Sequence, residues 1–163
     1  MLARIQTRFS PALLGLGLTL ALGGVAFAAG PHSHAAGADA TLELQLDHGR
    51  RWGTDTALRE GMARIRDAIG AALPRIHAGS MPPAEYAALA DRVQMQVDYV
   101  VENCRLPEEA DLQLHLVLAQ ILDGVAVMKN RDADRAEGAA TVVRALNAYG
   151  VAFDHADWGP LEH

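Results

Sequence analysis

Four residues of this chain carry side chains that soft transition metals bind. Met62 has a thioether, Cys104 is the single cysteine of the sequence, and His115 and His155 have imidazole rings. Thioether, thiolate and imidazole together suit copper(I), zinc or haem iron better than calcium or magnesium. The residue types therefore predict a soft-metal or haem site, provided that the fold brings them together.

Four amphipathic segments that could position these residues are predicted to be helices. The first begins near Thr54-Asp55-Thr56, which supply N-cap residues, and a break at residues 79–83 precedes the second. The third begins at Pro107 with acidic residues that favour the positive end of its dipole. Residues 129–132 form the next turn, and the fourth helix ends near Asp154-His155. Apolar residues recur at three- and four-residue steps in each segment: Leu58, Met62, Ile65, Ile69, Leu73 and Ile76; Tyr86, Leu89, Val93, Val97, Val100 and Cys104; Leu114, Val117, Ile121, Val125 and Met128; Val143, Leu146, Gly150 and Phe153.

Four such helices with short connections predict an all-α, up-down-up-down four-helix bundle. Antiparallel order brings the start of the first and third helices and the end of the second and fourth to one end. At a rise of about 1.5 Å per residue, Met62, His115 and Gly150 fall near one axial level. Cys104 closes the second helix at the same end. We therefore predict a cofactor site at Met62, Cys104, His115 and Gly150, and metal ligation by Met62, Cys104, His115 and His155.

Each of these residues also has a purely structural interpretation. Methionine commonly fills gaps in a core, Cys104 on an apolar stripe can be a small buried hydrophobe, and His115 lies on the flank of its stripe. Glycine inside a helix costs about 1 kcal/mol relative to alanine. Gly150 therefore indicates either a bulky neighbour packed against its backbone or space for a ligand.

The N-terminal residues have the features of a secretory signal peptide. Arg4 and Arg8 precede an apolar run at residues 13–25, and Ala26-Phe27-Ala28 supplies a small-x-small cleavage pattern. The run is shorter than the roughly 20 residues that span a bilayer. We therefore predict a signal peptide at residues 1–28, export to the periplasm and no membrane contact after cleavage.

The remaining residues are predicted to form one helical domain with a leader and a tail. Residues 29–53 form an extended and irregular leader, in which leucines alternate with polar residues at 42–46. Residues 54–158 form the bundle, and residues 159–163 form a C-terminal tail.

Composition and motifs exclude several classes of function. The 163 residues include 20 acidic and 14 basic side chains, a net charge of −6, which argues against nucleic-acid binding and against docking on anionic lipid. The sequence shows no Ser-His-Asp order, phosphate-cradling glycine loop or paired Glu-x-x-His motif, so we predict a protein that is not an enzyme. A lone cysteine permits a monomer or a disulfide-linked dimer.

Two short segments resemble a known haem protein. The sequence LREGMARI at residues 58–65 resembles the first helix of the soluble periplasmic b-type cytochrome, a four-helix bundle in which a methionine ligates haem, and Met62 matches that methionine. Residues 144–149 resemble the final helix of that family, just before its haem-ligating histidine. Gly150 stands at the histidine position, so the resemblance implies the fold without its Met/His ligation.

A further set of residue pairs occurs together in this chain: Arg51-Trp52, Thr54-Asp55, Leu58-Arg59, Asn103-Cys104, Ala110-Asp111, Leu114-His115 and Tyr149-Gly150. This combination resembles a small group of exported bacterial proteins of the DnrO-like type. The resemblance implies an exported helical protein and no particular reaction.

We expect a periplasmic, non-catalytic bundle that binds copper or haem as a carrier, sensor or redox accessory. The alternative is a structural or protein-interaction module without a cofactor, in which Trp52 and Trp158 anchor a partner.

Overall fold

Four helices make up most of residues 42–162, the part of the chain that the computed structural model describes. They are α1 (Thr56–His77), α2 (Pro83–Asn103), α3 (Glu108–Lys129) and α4 (Arg135–Ala152). The predicted signal peptide at residues 1–28 and the first part of the leader lie outside the described residues. The prediction of an all-α four-helix fold is confirmed.

Local capping explains where the helices begin. The Asp55 carboxylate accepts a hydrogen bond from the Leu58 backbone N–H at 2.7 Å, as expected of an N-cap. Asp134 caps α4 in the same way. The other two helices begin directly after prolines, Pro82 and Pro107, whose fixed φ suits the start of a helix.

The core follows the predicted stripes. α1 packs against α2, α2 against α3 and α3 against α4, and α4 returns to α1, which completes the bundle. Apolar burial of this kind supplies most of the stability of such helices. Fully buried side chains on the four helices include Leu58, Met62, Ile65, Ile69, Leu89, Val93, Val100, Val117, Ile121, Met128, Val142, Val143 and Leu146.

Residues before α1 and after α4 run together across one end of the bundle. The Trp52 backbone N–H donates to the Ala152 carbonyl at 2.8 Å, and the Asp154 N–H donates to the Trp52 carbonyl at 2.8 Å. These bonds make a short parallel β-bridge between Trp52 and Phe153. Phe153 is fully buried, so this bridge also closes the core.

The end of α4 differs from the prediction. The helix ends at Ala152, two residues earlier than expected, because the chain turns extended at Phe153 to meet Trp52. The tail then passes back along the bundle. Leu161 exchanges two hydrogen bonds of 2.9 Å with the Asn147 side chain on α4, and the Gly159 carbonyl accepts from Arg66 on α1 at 2.8 Å.

α3 is unusually apolar for a helix on the surface of a bundle. By length and composition it could cross a membrane, the one helix among residues 42–162 for which this holds, but core helices of water-soluble proteins pass the same test. Its inner side carries buried residues such as Leu114, Val117 and Ile121, whereas Leu112 and Leu116 are exposed. α3 therefore presents apolar side chains on two faces.

A pair of glycines allows α3 and α4 to approach closely. A Cβ atom added to Gly124 would lie 2.5 Å from the Gly138 carbonyl oxygen, and one added to Gly138 would lie 2.8 Å from the Gly124 carbonyl oxygen. Backbone atoms cannot move aside as a flexible side chain can, so these two positions require glycine.

We expect Gly124→Ala to lower the free energy of unfolding by about 1–3 kcal/mol, the usual cost of overpacking. Gly70→Ala in α1 is the matched control, because its Cβ would meet only the Leu161 side chain, at 3.4 Å. Alanine there should be neutral or stabilising, by up to about 1 kcal/mol. Urea unfolding followed by circular dichroism compares the two, and equal stabilities would contradict the close-contact explanation.

Candidate functional site

Asp55 joins the start of α1 to the turn between α2 and α3. One carboxylate oxygen caps α1 through Leu58, and the other accepts the Arg105 backbone N–H at 2.6 Å in the turn between α2 and α3. The Cys104 thiol lies beside this carboxylate. Burial opposes ionisation of Asp55, but the backbone bonds from Leu58 and Arg105 and the adjacent Cys104 thiol outweigh it and lower its pKa. Asp55 therefore stays a carboxylate beside the thiol.

Cys104 is the C-cap residue of α2 and is half-buried. Burial raises the pKa of its thiol to about 12, and the negative charges of Asp55 and Asp111 add to the increase. The thiol is therefore protonated at neutral pH. Since the thiolate is the form that binds a metal, an ion must displace the proton.

His115 is held in one tautomer by its own helix. Its Nδ1 lies 2.8 Å from the Asp111 carbonyl oxygen, and a carbonyl oxygen can only accept, so Nδ1 carries the hydrogen in neutral His115. Nε2 then has a free lone pair. A histidine that donates from Nδ1 to a backbone carbonyl and presents Nε2 is a common arrangement among metal-ligating histidines.

Cys104 and His115 line the same pocket, which has a volume of about 280 Å³. The pocket lies between the end of α2 and the first turns of α3, and Asp111 and Arg105 also contribute to its wall. His115 is largely exposed, with 67% of its side-chain surface accessible. The structure thus brings two of the predicted ligands to one opening on the surface.

Met62 does not line this pocket. Its side chain is fully buried in the core with neighbouring stripe residues such as Leu58 and Ile65. This position agrees with methionine as a packing residue.

Trp158 covers the face of α4 at Gly150. A Cβ atom added to Gly150 would lie 2.5 Å from the Trp158 Nε1 and would also contact Cδ1 of the same ring. Of the two explanations for this glycine, the structure therefore shows the bulky neighbour. With no imidazole at this position and the space taken by an indole, Met62 and Gly150 do not fit Met/His haem ligation.

His155 belongs to an aromatic cluster beside Gly150. Its Nδ1 lies 3.0 Å from the Tyr149 hydroxyl, and its ring is 4.8 Å from that of Trp158. Burial lowers the pKa of His155, and the positive charges of Arg59 and Arg66 lower it further. His155 is therefore a neutral packing and hydrogen-bonding partner here and shares no pocket with Cys104.

The tryptophans proposed as docking anchors already have partners within the chain. Trp52 Nε1 donates to the Gln45 carbonyl at 2.6 Å, and the Trp158 ring lies under Arg66 at 5.8 Å. Exposed apolar side chains on α2 and α3 include Val101, which lines the pocket, and Leu112 and Leu116, which do not.

Of the four predicted metal ligands, Cys104 and His115 line this pocket, and Met62 and His155 do not. Between residues 42 and 162, no group of three or more histidine, cysteine, aspartate or glutamate side chains could hold a metal ion. Asp55 lies beside the Cys104 thiol.

Sequence reasoning missed Asp55 and Asp111 as parts of this site. Asp55 was recognisable as an N-cap, but its bond to Arg105 joins residues that are 50 positions apart. The i, i+4 spacing of Asp111 and His115 on α3 is visible in the sequence and could have indicated their contact.

Comparisons with protein-family models, with curated proteins and with solved structures gave no match to this chain.

We expect Gly150→Ala to displace the Trp158 ring and leave α4 intact. In a Trp52→Phe background, fluorescence then reports Trp158 alone, and its emission should shift to longer wavelength as the indole becomes solvated. Alanine is the better helix former by about 1 kcal/mol, so the far-ultraviolet circular dichroism should not decrease. Val151→Ala, at a neighbouring residue that is 71% exposed, should leave the emission unchanged.

The lowered pKa of His155 predicts that the folded protein loses stability as the pH falls. Its folded-state pKa lies below the unfolded value of about 6.5, so the unfolded chain binds the proton more readily as the pH falls below about 6.5. The free energy of unfolding should therefore fall between about pH 7 and pH 5. His155→Gln, which keeps an acceptor for Tyr149, should make this slope shallower, and an unchanged slope would show that His155 does not contribute.

Proposed function

We propose that this protein is an exported, non-catalytic helical bundle that binds a soft or borderline metal ion, copper(I) or zinc, through Cys104 and His115. The observation that carries the proposal is that Cys104 and His115 line the same pocket, and that the Asp111 carbonyl binds Nδ1 of His115 and leaves Nε2 without that bond. Thiolate and imidazole ligands favour these ions over calcium and magnesium. A carrier or a metal sensor would use such a site.

The surroundings of the two donors also support the proposal. The Asp55 carboxylate lies beside the Cys104 thiol. The Asp111 carbonyl orients the His115 ring, as outer-shell partners of metal ligands do. Haem is not part of the proposal, because Gly150 lacks the imidazole and Trp158 covers it.

The test is a titration of the purified, reduced protein with copper(I) in competition with a chromophoric chelator, and with zinc by calorimetry. Cys104→Ser and His115→Ala should each weaken binding by about tenfold or more, the lower range for loss of a metal-site interaction. Met62→Leu should change little, because Met62 is a core residue. His77→Ala tests specificity, since His77 is an exposed histidine in the last turn of α1, at the other end of the bundle.

The pH dependence gives a second readout of the same site. Because the Cys104 thiol has a pKa of about 12, each bound thiolate releases one proton at neutral pH, and affinity should rise about tenfold per pH unit from this group. Tight binding that both Cys104→Ser and His115→Ala leave unchanged, or no binding tighter than micromolar, would overturn the proposal.

A second candidate function has a specific observation in its favour. Val101 is 61% exposed, Leu112 58% and Leu116 46%, so the α2–α3 side has an apolar surface that could dock another protein without any metal. Capture of one defined partner by metal-free Cys104→Ser protein, with loss of capture in Leu112→Glu, would favour this interaction module.

A further inference from the structure

Residues 158–161, which are neither helix nor strand, contact both α1 and α4. The Asn147 side chain on α4 forms hydrogen bonds of 2.9 Å with both the backbone N–H and the carbonyl of Leu161. Arg66 Nε on α1 donates to the Gly159 carbonyl at 2.8 Å. An amide side chain can donate and accept at once, so Asn147 binds the main chain of its partner and not a particular side chain. Two helices therefore hold this segment by its backbone.

The two large apolar side chains of the segment each lie at a glycine. A Cβ atom added to Gly150 of α4 would lie 2.5 Å from the Trp158 Nε1, and one added to Gly70 of α1 would lie 3.4 Å from the Leu161 Cδ2. Trp158 and Leu161 are partly buried and pack against the core of the bundle. The segment is therefore bound by its side chains as well as by its main chain.

The residues that hold the segment form one surface. Asn147 and Gly150 are three residues apart on α4, and Arg66 and Gly70 are four residues apart on α1, so each pair lies on one face of its helix. We call these four residues the α1–α4 groove. The groove receives two apolar side chains three positions apart and bonds the main chain from the second to the fourth residue of the segment.

Two features of the bound segment oppose its own binding. Trp158 Nε1 is buried and has no hydrogen-bond partner among residues 42–162, and a buried donor without a partner costs free energy. Asp157 has a φ of +61°, a left-handed conformation that is uncommon for residues other than glycine. A separate segment that brings an aromatic ring without a buried N–H, and that no tight turn joins to α4, would avoid both costs.

We propose that the α1–α4 groove is a docking site for a segment of another protein that carries an aromatic residue and, three positions later, a leucine. Residues 158–161 are then a competitor for this site that belongs to the same chain, and they show which chemistry the groove accepts. Because they are tethered, their effective concentration is on the order of millimolar, so a partner must displace them. None of the four groove residues lines the pocket of Cys104 and His115, so the two sites can be tested separately.

The first experiment uses the unaltered chain without its predicted signal peptide. Its two tryptophans give two indole N–H signals in a nitrogen-15 spectrum, and an unlabelled peptide with the sequence of residues 154–162 is added up to about 5 mM, above the effective concentration of the tethered segment. We expect the Trp158 signal to move to the position of a solvated indole as the peptide displaces it. The Trp52 signal should stay, because its Nε1 is bonded to the Gln45 carbonyl.

The control for this titration is the same peptide with Trp158→Ala and Leu161→Ala, which should leave both signals unchanged. If the Trp158 signal does not move with the original peptide, or moves equally with the control, the docking site is wrong.

A second experiment weakens the tethered segment within the full chain. In the variant with both Trp158→Ala and Leu161→Ala, fluorescence anisotropy should show the labelled peptide binding about tenfold or more tighter than to the unaltered chain, because the competitor is removed. Adding Asn147→Ala should weaken this binding by about tenfold or more, since two hydrogen bonds are lost. Adding Val151→Ala, at a residue of α4 that is 71% exposed, is the matched control and should change nothing.

Circular dichroism shows whether each variant is folded, and light scattering gives its mass. A folded double variant that does not bind the peptide would overturn the proposal, as would binding that Asn147→Ala leaves unchanged. A doubled mass of the unaltered chain without peptide, lost in the double variant, would show that two copies exchange residues 158–161. That result would assign the groove to a second copy of this chain and overturn a separate partner.

Discussion

The carboxylate of Asp55 is the interaction on which the arrangement of this bundle end depends. Its two oxygens accept the Leu58 and Arg105 backbone N–H groups, so one side chain fixes the start of α1 relative to the turn between α2 and α3. The Cys104 thiol lies beside the same carboxylate. Two separate parts of the chain are thereby held around one negative charge, and hydrogen bonds to a charged group are stronger than those between neutral groups.

Aromatic side chains fill the side of this bundle end where α4 ends. Trp52 pairs with Phe153, and Tyr149, His155 and Trp158 pack against each other. A bundle end has two sides on which a ligand could bind, and these aromatic contacts occupy the side next to α4. The pocket lined by Cys104 and His115 lies on the other side, next to α2 and α3, and is open to solvent.

Helix positions were predictable from the sequence because they depend on local spacing and capping. The stripe residues Leu58, Ile65 and Val117 are buried as expected, and Asp55 caps α1 as its type suggested. The environment of a single polar or small residue was less predictable. Gly150 was predicted to lie on the core stripe, but it is only partly buried. Its neighbour is Trp158, a residue of the tail that folds back onto α4.

Met62 and Cys104 illustrate the same limit for the candidate site. Both lie on apolar stripes, so the spacing of apolar residues in the sequence predicts the same burial for both. Met62 lies two turns inside α1 and is fully buried, whereas Cys104 is the C-cap of α2, where the helix leaves the core. The tautomer of His115 likewise depends on a hydrogen bond to the Asp111 carbonyl, which a residue pattern does not specify.

The high pKa of the Cys104 thiol also decides which chemistry suits this site. Disulfide exchange and oxidation proceed through the thiolate, and a thiol with a pKa of about 12 is almost entirely protonated at neutral pH. A metal ion is not excluded in the same way, because the free energy of the metal–sulfur bond can displace the proton. The burial and negative charge around Cys104 therefore disfavour disulfide exchange and oxidation of this thiol.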